Sequence, residues 1–102
     1  MNPREYDVRL LRVAIEDLNE ILSYISTDRP SAADTLGLKI EKQFSLLAKN
    51  PYMGPIPKED ELAQAGYRYL VVDNYLIFYV VEEDAIIVHR ILHSARDYLR
   101  LF

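Results

Sequence analysis

The sequence predicts an α+β domain with the element order β-α-α-β-β-β, in which a helical hairpin packs on one face of a small, largely antiparallel sheet. Three observations carry that expectation. Apolar residues recur with a period of two near residues 6–12 and switch to a helical period from Val13. The stretch from Tyr67 to Leu92 is dense in tyrosine and β-branched residues, and polar residues interrupt it at Asp73-Asn74 and at Glu82-Glu83-Asp84. Finally, 102 residues suffice for one hydrophobic core but not two, so 1–102 reads as a single domain.

Each element follows from its local pattern. Tyr6 to Arg12 alternates Tyr6, Val8 and Leu10 with Asp7, Arg9 and Leu11, the signature of a strand with one buried face. Ala14, Leu18, Ile21, Leu22 and Ile25 then fall at helical spacing, with Glu16, Asp17, Asn19 and Glu20 opposite, which predicts an amphipathic helix to about Ser26. Pro30 disfavours helix in the residue before it, and Ser31 offers a side-chain acceptor for an early N–H, so a second helix starts there. Leu36, Ile40, Phe44 and Leu47 form its inward stripe, and Asn50-Pro51 ends it. Asn50 to Arg68 holds three of the five prolines and two of the three glycines, which marks an irregular connection with a helical turn near Asp60 to Ala65. Strands follow at Tyr67–Val72, Tyr75–Val81 and Ala85–Leu92, the first two joined by Asp73-Asn74, residue types that tolerate the positive φ of a tight hairpin. The tail from Ser94 to Phe102 suits one or two helical turns.

A two-residue first turn places Arg68, Leu70 and Val72 on the same side as Tyr75, Ile77 and Tyr79. A three-residue second turn opposes Val81 to Ala85 and adds Ile87, His89, Ile91 and His93 to that side. Tyr69, Val71, Leu76, Phe78, Val80, Ile86, Val88 and Leu92 form the other side, the more apolar, which is assigned to the helices. Arg90 is its one misfit and needs the sheet's rim or a partner, because an unpaired buried guanidinium is very costly. A second turn one residue longer exchanges the faces of His89 and Arg90.

Composition excludes several classes. Half the residues are apolar and 27% are charged, which suits a globular rather than a disordered chain. With no cysteine there is neither a disulfide framework nor a thiolate metal site, so a reducing cytoplasm fits. No stretch reaches the roughly 20 apolar residues of a membrane span, and the acidic polar face of the first helix does not suit a membrane surface. The net charge of -4 repels a phosphate backbone, so any nucleic-acid contact must be local. His89 and His93, about 13 Å apart on a regular strand, are too distant to share a metal. Neither a phosphate-binding glycine loop nor a nucleophile motif is present, and no cofactor is expected.

Taken in order, several segments resemble one family. They are Ala14, Asp17, Leu18, Ile21, Tyr24 and Ile25 in the first helix, "NP" after the second, "GYR-x-LVV-x-NYLIFY" from Gly66 to Tyr79, and "RILHSARDY" from Arg90 to Tyr98. The chain is identified by them as resembling the RelE/ParE toxins of bacterial type II toxin-antitoxin systems, the plasmid stabilization proteins. The resemblance implies a small cytoplasmic growth inhibitor neutralised by a cognate antitoxin. ParE-like members bind and poison DNA gyrase without a reaction of their own. RelE-like members cleave mRNA on the ribosome, using the 2'-hydroxyl as nucleophile, which requires a base, an acid and cations for the phosphate.

In the nuclease reading His93, Arg68 and Arg96 are the candidate catalytic residues: Arg68 matches the family's arginine in "YR", His93 has the imidazole for acid-base work, and Arg96 can grip phosphate. In either reading Arg68, Tyr79, His89, Arg90, His93, Arg96 and Tyr98 are candidates to contact target or antitoxin. Histidine alone has an ordinary pKa near neutrality, and His89 and His93 are the only two. Against them stand structural readings: Arg68 as a strand-end arginine, His89 and His93 as hydrogen-bonded strand residues, Arg96 paired with Asp97, and Tyr79 and Tyr98 as packing. RelE-like nucleases cluster lysines and arginines in the connection before the second strand, whereas here Lys58 precedes Glu59, Asp60 and Glu61. From Tyr67 to Phe102 four arginines face five acids. This balance favours the gyrase-binding reading, or a member that has lost toxicity, over mRNA cleavage. The antitoxin is expected on the helical hairpin, an open sheet face or a strand edge, and a homodimer is a further expectation.

Overall fold

The computed structural model of the chain describes residues 5–102. In order they form β1 (Asp7–Leu10), α1 (Arg12–Asp28), α2 (Pro30–Lys49), α3 (Asp60–Gln64), β2 (Arg68–Val72), β3 (Tyr75–Glu82), β4 (Ala85–His93) and a closing 3-10 turn, Tyr98–Leu101. The α+β order and the helical hairpin on a small sheet are as the sequence predicts. The sheet runs β1-β4-β3-β2, with β1 parallel to β4 and the other neighbours antiparallel.

Local chemistry accounts for the breaks. Pro30 holds Arg29 out of helical conformation, at φ -140 and ψ 74, so α1 stops one residue before α2 starts. The start of α2 is closed by the carbonyl of Arg29, which accepts from the N–H groups of Ala32 and Ala33; the side chain of Ser31 makes no cap, contrary to the sequence expectation. Asp73 takes φ 52 in the β2–β3 turn. The β3–β4 turn is tighter than predicted: Glu82 pairs with Ala85, leaving Glu83, at φ 45, and Asp84 as its two residues.

That shorter turn, together with a bulge, overturns the predicted faces. Val81 opposes Ile86 and Tyr79 opposes Val88, yet Phe78 opposes Arg90, so His89 is the extra residue. Across the bulge, Ile86, Val88 and Ile91 all reach one side, that of Leu70, Val72, Ile77 and Tyr79. It is this side that packs on Ala14, Leu36, Ile40 and Leu47 of the helices. The set expected to remain open is therefore the main core. The other side is partly covered too: Leu76, Phe78 and Leu92 pack with Leu62 of α3 and with Tyr67, Tyr69, Tyr98 and Leu101. The extra cover comes from short elements, one turn of helix and the tail, whose apolar residues are too few to announce a packing face by periodicity.

Beyond Val88, β4 has no β1 residue beside it. Asp17 of α1 occupies that gap. Its carboxylate accepts from Arg90 Nε and Nη2, both at 2.8 Å, and from the Ile91 N–H at 3.0 Å. Arg90 Nη1 also donates to the Leu101 carbonyl at 2.9 Å. The misfit arginine thus gains the partner its burial required, and its pKa is raised chiefly by the hydrogen bond to Asp17. Asp17→Ala should lower unfolding free energy by about 3 kcal/mol, because it strands a mostly buried guanidinium and a strand N–H together. Asp17→Asn, which keeps an acceptor, should lower it less. Urea titration followed by circular dichroism measures both, and equal stability of Asp17→Ala and wild type would contradict the assignment.

Candidate functional site

The seven residues singled out from sequence do not converge on one centre. Two of them clamp the connection after α2. Tyr79 is fully buried. Its hydroxyl donates to the Pro51 carbonyl at 2.9 Å and accepts from the Gly54 N–H at 3.0 Å. Burial pushes its phenol pKa up, with the Gly54 hydrogen bond and the charge of Arg68 partly opposing. Arg68 donates through Nη1 to the carbonyls of Gly54 at 2.9 Å and Tyr52 at 3.2 Å, and its guanidinium lies 5.2 Å from the centre of the Tyr52 ring. Gly54 is required because a Cβ there would lie 2.4 Å from the Tyr69 carbonyl oxygen and 2.7 Å from the Tyr79 hydroxyl. Arg68 and Tyr79, predicted on an open face, are corrected to this internal role by the packing of that face against the helices.

Three more are engaged elsewhere, beside the bulge of β4 and in the tail. Arg90 belongs to Asp17 and Leu101. His89, the bulge residue, shares a 2.8 Å hydrogen bond through Nδ1 with the Tyr67 hydroxyl, and the two rings meet edge-on at 5.0 Å. Burial lowers the pKa of His89, with Glu82 opposing, and raises that of Tyr67. Tyr98 donates to Glu59 at 2.7 Å, and this hydrogen bond to a carboxylate, more than burial, pushes its phenol up to about 12.

His93 and Arg96 remain. The Ala95 N–H donates to His93 Nδ1 at 3.0 Å, and the imidazole meets Tyr75 edge-on at 5.3 Å. Both residues line a cleft of about 250 Å3 together with Tyr75, Ile91, and Glu20, Ile21 and Tyr24 of α1. His93 and Arg96 are thus brought together, with two acids, Asp17 and Glu20, and two tyrosines lining the same cleft, while Arg68 sits in the loop clamp. Sequence reasoning missed Asp17, Glu59, Tyr67 and Gly54. Only Asp17 had left a signal: a lone arginine in an apolar register requires an acid, and Asp17 lies within the segment that carried the family resemblance. Among the described residues no group of His, Asp and Glu is arranged to hold a metal ion.

A second, larger feature lies on the helices. Leu18 and Leu22 of α1 and Ala33, Gly37, Leu38 and Phe44 of α2 line an apolar groove of about 540 Å3, with Asp34 and Glu41 also lining it. Leu38 is 67% exposed, and a Cβ on Gly37 would meet nothing within 4 Å, so the groove is open.

Comparison with known proteins adds the following. Residues 8–98 match the family model described as ParE toxin of type II toxin-antitoxin system, parDE. A curated relative, Toxin RelE2 of Caulobacter vibrioides, is 36% identical over 84 residues, covering 81% of this chain and 89% of the relative. Among solved structures, a chain of the chromosomal ParDE system from P. aeruginosa superposes with a TM-score of 0.72 at 20% identity, covering 89% of this chain and 98% of that one. A chain of the RelBE2 toxin-antitoxin complex from Mycobacterium tuberculosis superposes with a TM-score of 0.64 at 22% identity, covering 93% and 98%.

Two measurements check the geometry. Tyr79→Phe removes a hydroxyl that serves two main-chain groups and leaves the buried Gly54 N–H without a partner, so it should lower stability by roughly 2 kcal/mol; an unchanged urea midpoint would contradict the clamp. Tyr98 should ionise near pH 12, followed at 295 nm, and Glu59→Gln should return it towards the ordinary tyrosine value of about 10. Because the folded-state value is raised, the stability this residue contributes is complete below about pH 10 and disappears as pH rises through about 12. A Tyr98 titration that Glu59→Gln leaves in place would refute the cause given.

Proposed function

The chain belongs to the RelE/ParE superfamily as a toxin of a type II toxin-antitoxin system, and we propose that it acts by binding DNA gyrase rather than by cleaving mRNA. One observation carries this reading: two of the cations on the sheet, Arg90 and Arg68, are already engaged by the protein itself. Arg90 is held by a carboxylate on two of its nitrogens, and Arg68 by two loop carbonyls. Charge stabilisation of a phosphate in flight needs donors aimed at the reacting atoms, and internally satisfied donors would first have to break good hydrogen bonds. Tyr98, with its pKa pushed up and its proton committed to Glu59, is a poor acid for a leaving oxygen. The excess of acids supplies no compensating attraction for RNA.

In this reading the antitoxin neutralises the toxin from the helical side. The α1–α2 groove has the apolar lining for an amphipathic helix, and Asp34 and Glu41 suit basic residues flanking its apolar face. His93 and Arg96, on the cleft below α1, are the residues left to contact a macromolecular partner, and they are also the residues on which mRNA cleavage would rest.

The deciding experiment expresses the protein alone and pairs two assays. Purified protein added to gyrase should block supercoiling and accumulate cleaved plasmid, while primer extension on translated mRNA should show no ribosome-dependent breaks. Arg96→Ala should weaken the gyrase effect without a change in melting. Ribosome-dependent breaks with intact gyrase activity would reverse the assignment, and the absence of both effects would point to a member without toxicity.

A further inference from the structure

The side of the sheet away from the α1–α2 groove is only half covered. There Tyr69, Val71, Leu76 and Phe78 floor a cleft of about 480 Å3, walled by Tyr98 and by residues 57–59. Val71 is 60% exposed although it sits inside a strand. In the β2–β3 hairpin, Val72 pairs with Tyr75 across a two-residue turn, so Val72, Leu70 and Arg68 bond β3 while Tyr69 and Val71 turn their main-chain groups outward. At Tyr69 that outer edge is closed, its N–H donating to the Pro55 carbonyl at 3.1 Å. At Val71 the N–H and C=O have no partner among the described residues. An open strand edge thus adjoins an apolar cleft, the combination that strand addition uses: main-chain pairing for affinity and a pocket for every second side chain.

We propose that this cleft and the outer edge of β2 at Val71 form the surface that grips the target protein, by adding an extended segment whose apolar side chain fills the cleft and whose flanks are basic. The inference rests on the reading of the chain as a toxin that acts by binding. Charge selects the occupant: Lys58 and Glu59 line the cleft, Asp60 and Glu61 follow in the first turn of α3, and the chain carries a net charge of -4, a field that attracts lysine or arginine and repels a phosphodiester backbone. The Tyr98 wall is fixed by its bond to Glu59 and by its ring against Phe78 at 5.1 Å, so the cleft is preformed and little ordering opposes binding. It lies on the opposite side of the sheet from the helical groove, so an antitoxin in that groove leaves it uncovered.

The test uses two substitutions at an exposed position. Val71→Glu removes the apolar anchor and adds an acid; Val71→Pro keeps an apolar side chain but removes the outward N–H, a change that sheet edges tolerate. Immobilised toxin is challenged with purified gyrase holoenzyme, supercoiling inhibition is titrated, and melting, antitoxin affinity and sedimentation are measured in parallel. Both variants should need about tenfold more protein for half-inhibition, with melting and antitoxin affinity at wild-type values. Inhibition at wild-type concentration by both variants would overturn the proposal while leaving the gyrase reading intact. Antitoxin affinity lost in step would assign the surface to the antitoxin, and a dimer dissolved by Val71→Glu with gyrase capture unchanged would assign it to a second copy; either result overturns it. Wild-type protein that neither binds nor inhibits gyrase would defeat the underlying reading itself.

Discussion

One carboxylate holds the working end of this fold together. Asp17 accepts three hydrogen bonds, two from Arg90 and one from the main chain of Ile91, at the place where β1 has ended and β4 continues without a neighbour. A strand that loses its neighbour exposes polar main-chain groups that must find partners. A helix cannot supply a ladder, but a side chain projecting from it can satisfy a single N–H. Arg90 then carries the connection outward to the Leu101 carbonyl, so α1, β4 and the tail meet through four hydrogen bonds. Without that junction the end of the tail would lose its hydrogen bond to Arg90, leaving the Tyr98–Glu59 bond and the ring contacts of Tyr98 and Phe102 to hold it.

The bulge at His89 is the second constraint, and it acts with the junction. By inserting one residue it turns Ile91 to the helix side along with Ile86 and Val88, while Arg90 stays opposite Phe78. The strand therefore serves two cores: a large one under the helices and a small aromatic one under α3 and the tail. The His89 ring is taken up by Tyr67, and the Phe102 ring lies against both Tyr67 and Phe78. Tyrosine is suited to such sites because its ring packs while its hydroxyl finds a polar partner. Tyr67, Tyr79 and Tyr98 each do so, and the aromatic richness of the sequence is spent on positioning.

The element order and both hairpins were legible from the sequence because they depend on local signals: the change of period at Val13, Pro30, and Asp73-Asn74. Face assignment was not. Strand sides in the second hairpin depend on turn length and bulges, and a one-residue error moves every later side chain to the opposite face. Here the turn was one residue shorter than predicted and the bulge compensated beyond it, so Ile91 and His93 were placed correctly relative to Ile77 while Ile87 and His89 were not. The apolar count also misled, since a sheet covered on both sides offers no single greasy face to find. Among candidate residues, the need of Arg90 for a partner followed from burial cost alone. The engagement of Arg68 and Tyr79 by residues 51–54 could not be foreseen, because an irregular connection has no periodicity to fix where its carbonyls lie.

These internal partnerships bear directly on what kind of work the surface can perform. A catalytic site for phosphoryl chemistry keeps its cations underused in the resting state, so that their strongest bonds form only as charge develops. In this chain Arg68, Arg90, His89 and Tyr98 already form ordered bonds with the protein, which favours rigidity over reserve. Rigidity is what a binding surface gains from, since side chains fixed beforehand lose little freedom when a partner arrives. The same arginines and tyrosines that look catalytic in one dimension thus build, in three, a fixed platform with an apolar groove on one side and an aromatic cleft on the other. In the proposed reading each of the two partners meets a separate face, so specificity for both requires no moving part.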